Sequence, residues 1–136
     1  MVNKIEHIGI AVENIEQSLK IYEEILGLKC YKTEIVESEA VKTAFIAVGE
    51  SKIELLEATS ETSPIAKFLN KKGRGIHHIA FDVDNLESEL ERLLLLDYEL
   101  IHKTPKHGAD NKLIAFLHPK STDGVLIELC QDKVSV

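Results

Sequence analysis

One ten-residue pattern is written twice in this chain. His7-Ile8-Gly9-Ile10-Ala11-Val12-Glu13-Asn14-Ile15-Glu16 returns, at an offset of 71 residues (His7 to His78), as His78-Ile79-Ala80-Phe81-Asp82-Val83-Asp84-Asn85-Leu86-Glu87. His, Ile, Val, Asn and Glu keep their places, and the other positions are mostly similar in kind. The same offset sets Phe45 against Phe116 and Ile46 against Leu117. Self-similarity at a fixed offset marks a supersecondary unit used more than once. The fold must therefore be assembled from two copies of one motif.

The motif can be read from either copy. Each opens with a strand, 5–12 or 76–83, followed by an Asn where a helix N-cap belongs. Asn14 with Gln17 three residues on is a capping-box pattern. Ile15, Leu19, Tyr22 and Leu26 fall at helical spacing, and Gly27 ends that helix; Leu86, Leu90, Leu93 and Leu94 play the same part in the second copy. Three strands are expected after the first helix, at about 28–36, 40–48 and 52–58. Three more follow the second, at about 98–103, 111–118 and 124–131. The fold class is α+β, with two paired βαβββ modules: module one about 1–58, a connector at 59–74, module two about 75–131. In the connector Ser63-Pro64 is a helix start, so a short helix is expected from Pro64 to Lys71, closed by Gly73 and Gly75.

A chain of 136 residues with 44% hydrophobic residues is enough for one packed domain. The net charge of -7 argues against a general nucleic-acid binder, which carries an excess of Lys and Arg. No apolar run approaches the roughly 18 residues of a membrane span, and the first residues lack an apolar signal core. A cytoplasmic location is the expectation, with no nucleic-acid or membrane partner. Cys30 and Cys130 then read as buried thiols in a reducing compartment.

The chemistry lies in what each repeat carries besides its core. Each has a His in its first strand and a Glu in its last: His7 with Glu54, and His78 with Glu128. The spacings are 47 residues (His7 to Glu54) and 50 residues (His78 to Glu128). A carboxylate inside an apolar strand such as Ile53-Glu54-Leu55 or Ile127-Glu128-Leu129 is costly unless it is paired or binds a metal. One such Glu could be a solvated strand position; the same arrangement in both repeats points to a site. Two imidazoles and two carboxylates suit a divalent ion such as Co, Mn, Ni or Zn. Four protein ligands in an octahedral site leave two positions for substrate, which makes the site catalytic. His77, next to His78 in a strand, points to the opposite face and reads as packing or support. His102, His107 and His118 lie near the one basic stretch of this acidic chain, Lys103, Lys106, Lys112 and Lys120. That stretch reads as a phosphate-binding rim, or otherwise as ordinary surface lysines.

The paired modules and the His, Glu, His, Glu set resemble the vicinal-oxygen-chelate superfamily, which includes glyoxalase I. Longer segments resemble the methylmalonyl-CoA epimerase family within it. They are His7-Ile8-Gly9-Ile10-Ala11-Val12, Ser63-Pro64-Ile65-Ala66-Lys67-Phe68-Leu69, Gly75-Ile76-His77-His78-Ile79-Ala80, and Phe116-Leu117-His118-Pro119-Lys120-Ser121 through Gly124-Val125-Leu126-Ile127-Glu128-Leu129. The resemblance runs from about residue 5 to 131. It implies metal ligands at His7, Glu54, His78 and Glu128, and epimerisation of an acyl-CoA thioester at C2 by proton transfer through a metal-stabilised enolate. It also implies a homodimer and a coenzyme A rim drawn from Lys103, Lys106, Lys112, Lys120 and Ser121. Inversion needs an acid–base group on each face of C2. Glu128 takes one role by resemblance. Some relatives place a Glu where this chain has Thr43, a poor base, so Glu39, Glu54 or a metal-bound water are the options for the second. The alternatives are a glyoxalase-I-like lactoylglutathione lyase on the same ligands and a non-catalytic binding module of the same fold.

Overall fold

The computed structural model describes residues 1–133. Along these residues the elements are β1 (Val2–Ala11), α1 (Ile15–Leu26), β2 (Cys30–Val36), β3 (Val41–Val48), β4 (Ser51–Ala58), α2 (Pro64–Lys72), β5 (Gly75–Val83), α3 (Leu86–Leu95), β6 (Lys106–His107), β7 (Lys112–Leu117) and β8 (Ile127–Asp132). The chain forms two compact units. One is His7–His77; the other joins Met1–Glu6 to the chain from His78 onward. The division falls inside β1 and inside β5, so each strand contributes to both units.

In the His7–His77 unit the strand order is β2-β3-β4-β1. β1 runs parallel to β4, while β3 is antiparallel to both β2 and β4. The parallel pair needs a crossover, and α1 helps provide it. Asn14, in extended backbone, starts α1: its side chain accepts from Gln17 N at 2.9 Å. Gly27 stops it at φ 68°, a left-handed conformation that costs a residue with a Cβ far more. α1 lays Ile15, Leu19 and Tyr22 on one face of the strands, against Val12, Ala44 and Leu55. Full burial of a side chain the size of Ile15 contributes about 1.5–3 kcal/mol. On the other face Ala11, Val41 and Leu56 pack with Val36 and with Ile65, Phe68 and Leu69 of α2. α2 starts as expected, with the Ser63 hydroxyl accepting from Ile65 N at 3.1 Å.

In the second unit the order is β5-β8-β7-β6, with β5 parallel to β8 and β7 antiparallel to β8 and β6. Asn85 caps α3 by accepting from Ser88 N at 3.0 Å. Leu86 and Leu90 of α3 pack on Val83, Leu100, Ala115, Leu117 and Leu129. The first residues of β1 are tied in by Asn3, whose amide donates to Asp82 and Asp84 at 2.9 Å each.

The strand expected at 98–103 does not form. Leu100 makes a single bridge to Leu117, and the only strand of this stretch is Lys106–His107. Two features break the ladder. Phe116 O accepts from both Ile101 N and His102 N. Phe116 N donates to the His102 ring at 3.0 Å, so a side chain takes the place of a backbone carbonyl. Pro105 then has no N–H to give. The last strand also begins later than expected, at Ile127 rather than 124, because Gly124 turns the chain at φ 85° and donates to Pro119 O at 2.8 Å.

Candidate metal centre

The same local geometry produces a His–Glu pair in each unit. Alternate residues of a strand share a face, and residues in register on neighbouring strands do too. His7 therefore shares a face with Gly9, and Gly9 is in register with Glu54. In the second unit His78 shares a face with Ala80, and Ala80 is in register with Glu128. A small residue stands beside the Glu each time, leaving the carboxylate room to lean toward the imidazole. His7 Nε2 lies 3.4 Å from Glu54 Oε1, and His78 Nε2 lies 3.5 Å from Glu128 Oε1. All four side chains are at least nine-tenths buried.

Each Glu has an aromatic residue in register on its other side, Phe45 beside Glu54 and Phe116 beside Glu128. The Phe116 ring meets His78 edge to face at 5.4 Å. In so apolar a setting an ionised carboxylate needs a counter-charge. The His–Glu separations are too long for a charge-assisted hydrogen bond, which runs about 2.7–2.9 Å. They fit two ligands of one ion, since bonds of about 2.0–2.2 Å at a wide right angle set donor atoms about 3 Å apart. The imidazole and carboxylate donors of His7, Glu54 and His78 form a group that can hold a metal ion.

The remaining candidates take varied places. Thr43 is 1% exposed and on the His7–Glu54 face, but its hydroxyl donates to Glu34 O at 3.3 Å. Glu39 sits in the single turn Glu37–Glu39 between β2 and β3. The neighbouring Val41 is in register with Ala58, four residues along β4 from Glu54 and thus about 13 Å away at the usual strand rise. Lys103 and Lys120 are exposed and Lys106 is half-buried. Lys112 departs from the expected rim: it is buried, with its ammonium ion-paired to Asp132 and 3.7 Å from Glu6. Its charge is neutralised inside the unit. Ser121 accepts from Glu99 N at 2.8 Å, and His118 caps the turn Pro119–Ser121 by accepting from Lys120 N at 3.1 Å. Both hold that loop in shape. His77 lies edge-on to Phe68 of α2 at 5.0 Å, a packing role as its strand parity suggested. Burial, with some help from Lys72, lowers its pKa to about 4.

Two residues on the His7–Glu54 face escaped the sequence reading. Lys52 is in register with His7 and extends to 5.9 Å above the Phe45 ring. Glu34 of β2 is in register with Thr43, with Lys32 Nζ 3.2 Å from its carboxylate. Period-two counting back from Glu54 would have found Lys52. Glu34 needed the β2–β3 register, which the turn sets.

Two repeated units, each with a buried His–Glu pair, define the class of protein, and residues 6–116 match the model of the Glyoxalase/Bleomycin resistance protein/Dioxygenase superfamily. The chain is 44% identical to the uncharacterized protein YqjC of Bacillus subtilis, over 97% of this chain and 94% of that one. It is 38% identical to the mitochondrial methylmalonyl-CoA epimerase of Dictyostelium discoideum, over 94% of this chain and 78% of that one. The solved methylmalonyl-CoA epimerase of Streptomyces coelicolor, a variant in complex with 2-nitronate-propionyl-CoA, superposes with a TM-score of 0.94 at 31% identity, over 98% of this chain and 97% of that one. The chain belongs to this superfamily and, inside it, to the methylmalonyl-CoA epimerase family. No helix among the described residues is long and apolar enough to cross a membrane.

Proposed function

We propose that this enzyme interconverts the two epimers of methylmalonyl-CoA at C2 and that His7, Glu54, His78 and Glu128 together hold one divalent ion for that purpose. The observation that carries the reading is the pair of buried His–Glu couples with matching geometry, 3.4 Å and 3.5 Å, in a chain of the epimerase family.

The substrate chemistry asks for such a site. C2 lies between a thioester carbonyl and a carboxylate, and loss of its proton places negative charge on the thioester oxygen. A bound divalent ion would supply Lewis-acid stabilisation of that charge, an effect of several kcal/mol. The chain's own residues do the rest. Glu128 takes and returns the proton at C2. Phe45 and Phe116, beside the two carboxylates, keep water away and strengthen every charge interaction near them. Lys103, Lys106 and Lys120 meet the phosphates of coenzyme A. The nitrogen and oxygen donor set favours Co, Mn, Ni or Zn. The working assembly is a homodimer in the cytoplasm.

The test is deuterium wash-in at C2 of methylmalonyl-CoA, followed by NMR, on chelated protein and on the same protein reloaded with cobalt. Exchange with inversion that appears only after reloading is the expected result. Full activity in the chelated, metal-free protein would overturn the metal assignment. No exchange from metal-loaded protein would overturn the epimerase reading.

A further inference from the structure

We propose that Lys52 binds the free carboxylate of the substrate's acyl group and so sets a preference for acyl-CoA thioesters that carry one. The proposal rests on the epimerase reading above and names the residue that recognises the charged end of that substrate.

Lys52 is a direct neighbour of both ligand candidates in the His7–His77 unit. It stands in register with His7 on the adjoining parallel strand, and Glu54 follows it two residues along β4. The first relation sets the Cα atoms about 4.8 Å apart and the second about 6.6 Å apart, on one face. The Lys52 ammonium lies 5.9 Å from the centre of the Phe45 ring, and Phe45 is in register with Glu54. The ammonium thus stands beside the ring that flanks the carboxylate. Among the described residues of β1, β4, β3 and β2, this face carries one other lysine, Lys32. Lys32 is two strands away from Glu54 and is paired with Glu34 at 3.2 Å.

The surroundings suit recognition of an anion. One end of the face is shut, because Leu56, two residues beyond Glu54, packs with Ile65, Phe68 and Leu69 of α2. Lys52 is at the other end, the second residue of β4 and half-buried, where it meets what enters beside Glu54. In the reading above, two carboxylate ligands cancel both charges of a divalent ion, so the centre alone attracts an anion weakly. Methylmalonyl-CoA brings a carboxylate to it, and loss of the C2 proton adds a second negative charge. An ammonium beside His7 and Glu54 offsets the first. The apolar Phe45 ring strengthens that ion pair over one in open water. The phosphates of coenzyme A, at the far end of the pantetheine arm, are out of reach of Lys52 when C2 is at the centre. Lys52 holds the substrate and takes no part in proton transfer.

The experiment measures acyl-CoA binding by calorimetry to cobalt-loaded wild type, Lys52→Met and Lys52→Arg. The two ligands are methylmalonyl-CoA, as an equilibrated mixture of epimers, and propionyl-CoA, which differs from it only in lacking the carboxylate. In Lys52→Met the affinity for methylmalonyl-CoA is expected to fall about tenfold or more, the weight of a hydrogen bond between charged groups. Propionyl-CoA should bind within about threefold of wild type, since it offers Lys52 no anion. Lys52→Arg, which keeps the charge, should recover part of the loss. Cobalt affinity of Lys52→Met should hold or rise, because a neighbouring positive charge is gone. An affinity of Lys52→Met for methylmalonyl-CoA within about threefold of wild type would overturn the proposal. So would an equal fall for both ligands, which would set Lys52 against coenzyme A itself. Weaker cobalt binding by Lys52→Met would overturn it too, as the mark of a residue that supports the ligands. A wild type that neither prefers methylmalonyl-CoA nor exchanges its C2 proton would instead overturn the epimerase reading, and this proposal with it.

Discussion

Glu57 accepts the first backbone N–H of α1, from Ile15, at 2.7 Å, and Gln131 does the same for Leu86 at the start of α3, at 2.5 Å. A residue of the last strand in each repeat thus closes the helix of that repeat. The second repeat shows that a neutral amide serves. Glu57→Gln should therefore lower stability by less than about 0.5 kcal/mol, the loss of a favourable charge at a helix N-terminus. Glu57→Leu should cost about 1–2 kcal/mol, because it leaves a buried N–H without its acceptor. Urea unfolding midpoints decide; equal midpoints for the two variants would mean the contact carries no weight.

Removing a metal ligand should separate binding from folding. Glu128→Ala is expected to lower cobalt affinity more than about 100-fold, since lost support around a ligand alone costs about 10–100-fold. Turnover should fall with it, while the far-ultraviolet circular dichroism stays unchanged. Glu54→Gln keeps an oxygen donor and should retain metal with weaker affinity. Metal analysis after dialysis reads both, and a Glu128→Ala protein that binds cobalt as tightly as wild type would remove Glu128 from the ligand set.

The fold was legible where one physical rule decides. Asn14 and Asn85 announce helix starts because their side chains compete for backbone N–H groups anywhere else, and both act as caps. His7, Glu54, His78 and Glu128 stood out because the repeat doubled an otherwise ordinary coincidence, and the structure brings each pair within 3.5 Å. What stayed hidden depends on register. The run at 98–103 looks like a strand by composition, but His102 takes a hydrogen bond that a ladder needs. Lys112 looks like any surface lysine, yet β7 sets it in register with Asp132 and buries it. Glu34 reaches the His7–Glu54 face through the β2–β3 register, in which it stands opposite Thr43. A slip of one residue in that register would turn its side chain to the other face, and composition leaves no trace of it.

The lysines divide into two groups that should respond differently. Lys103→Ala and Lys120→Ala remove exposed charges, so each should raise KM for the acyl-CoA about 1.5–5-fold, the range of one exposed ion pair. The wild-type KM should climb with salt, and kcat and stability should hold. Lys112→Met removes the cation beside Glu6, which is 2% exposed, and should cost about 3 kcal/mol of stability. KM across a salt series, set beside urea melts, tests the division. A salt-independent KM would take Lys103 and Lys120 out of coenzyme A binding.

The two thiols should react at very different rates. Burial pushes the Cys130 thiol far above its ordinary range, and Glu128 and Glu6 push it further. Since only the thiolate attacks, a disulfide reagent should leave Cys130 untouched in the native protein and modify it on unfolding. Cys30 is only partly buried and should react first. Comparison of wild type with Cys30→Ser would show it; rapid native labelling of Cys30→Ser would mean that β8 opens readily.

His77 gives stability a dependence on acidity whose sign can be worked out. Its folded pKa is about 4 against an ordinary 6.5, with burial the main cause and Lys72 the second. Between those values the unfolded chain binds the proton and the folded one does not, so stability falls as pH falls through this window. The contribution is fully present above about pH 6.5. The shift corresponds to about 3 kcal/mol at most, and partial exposure reduces it to about 1–2 kcal/mol. His77→Phe keeps an edge-on ring against Phe68 of α2 and has no proton to gain. Carboxylates titrate alike in both proteins, so their effect cancels in the difference. The variant should therefore gain on wild type by about 1–2 kcal/mol as pH drops from 7 to 4.5, read from urea midpoints at each pH. Parallel stability curves would mean that His77 is protonated as easily in the folded protein as in the unfolded chain.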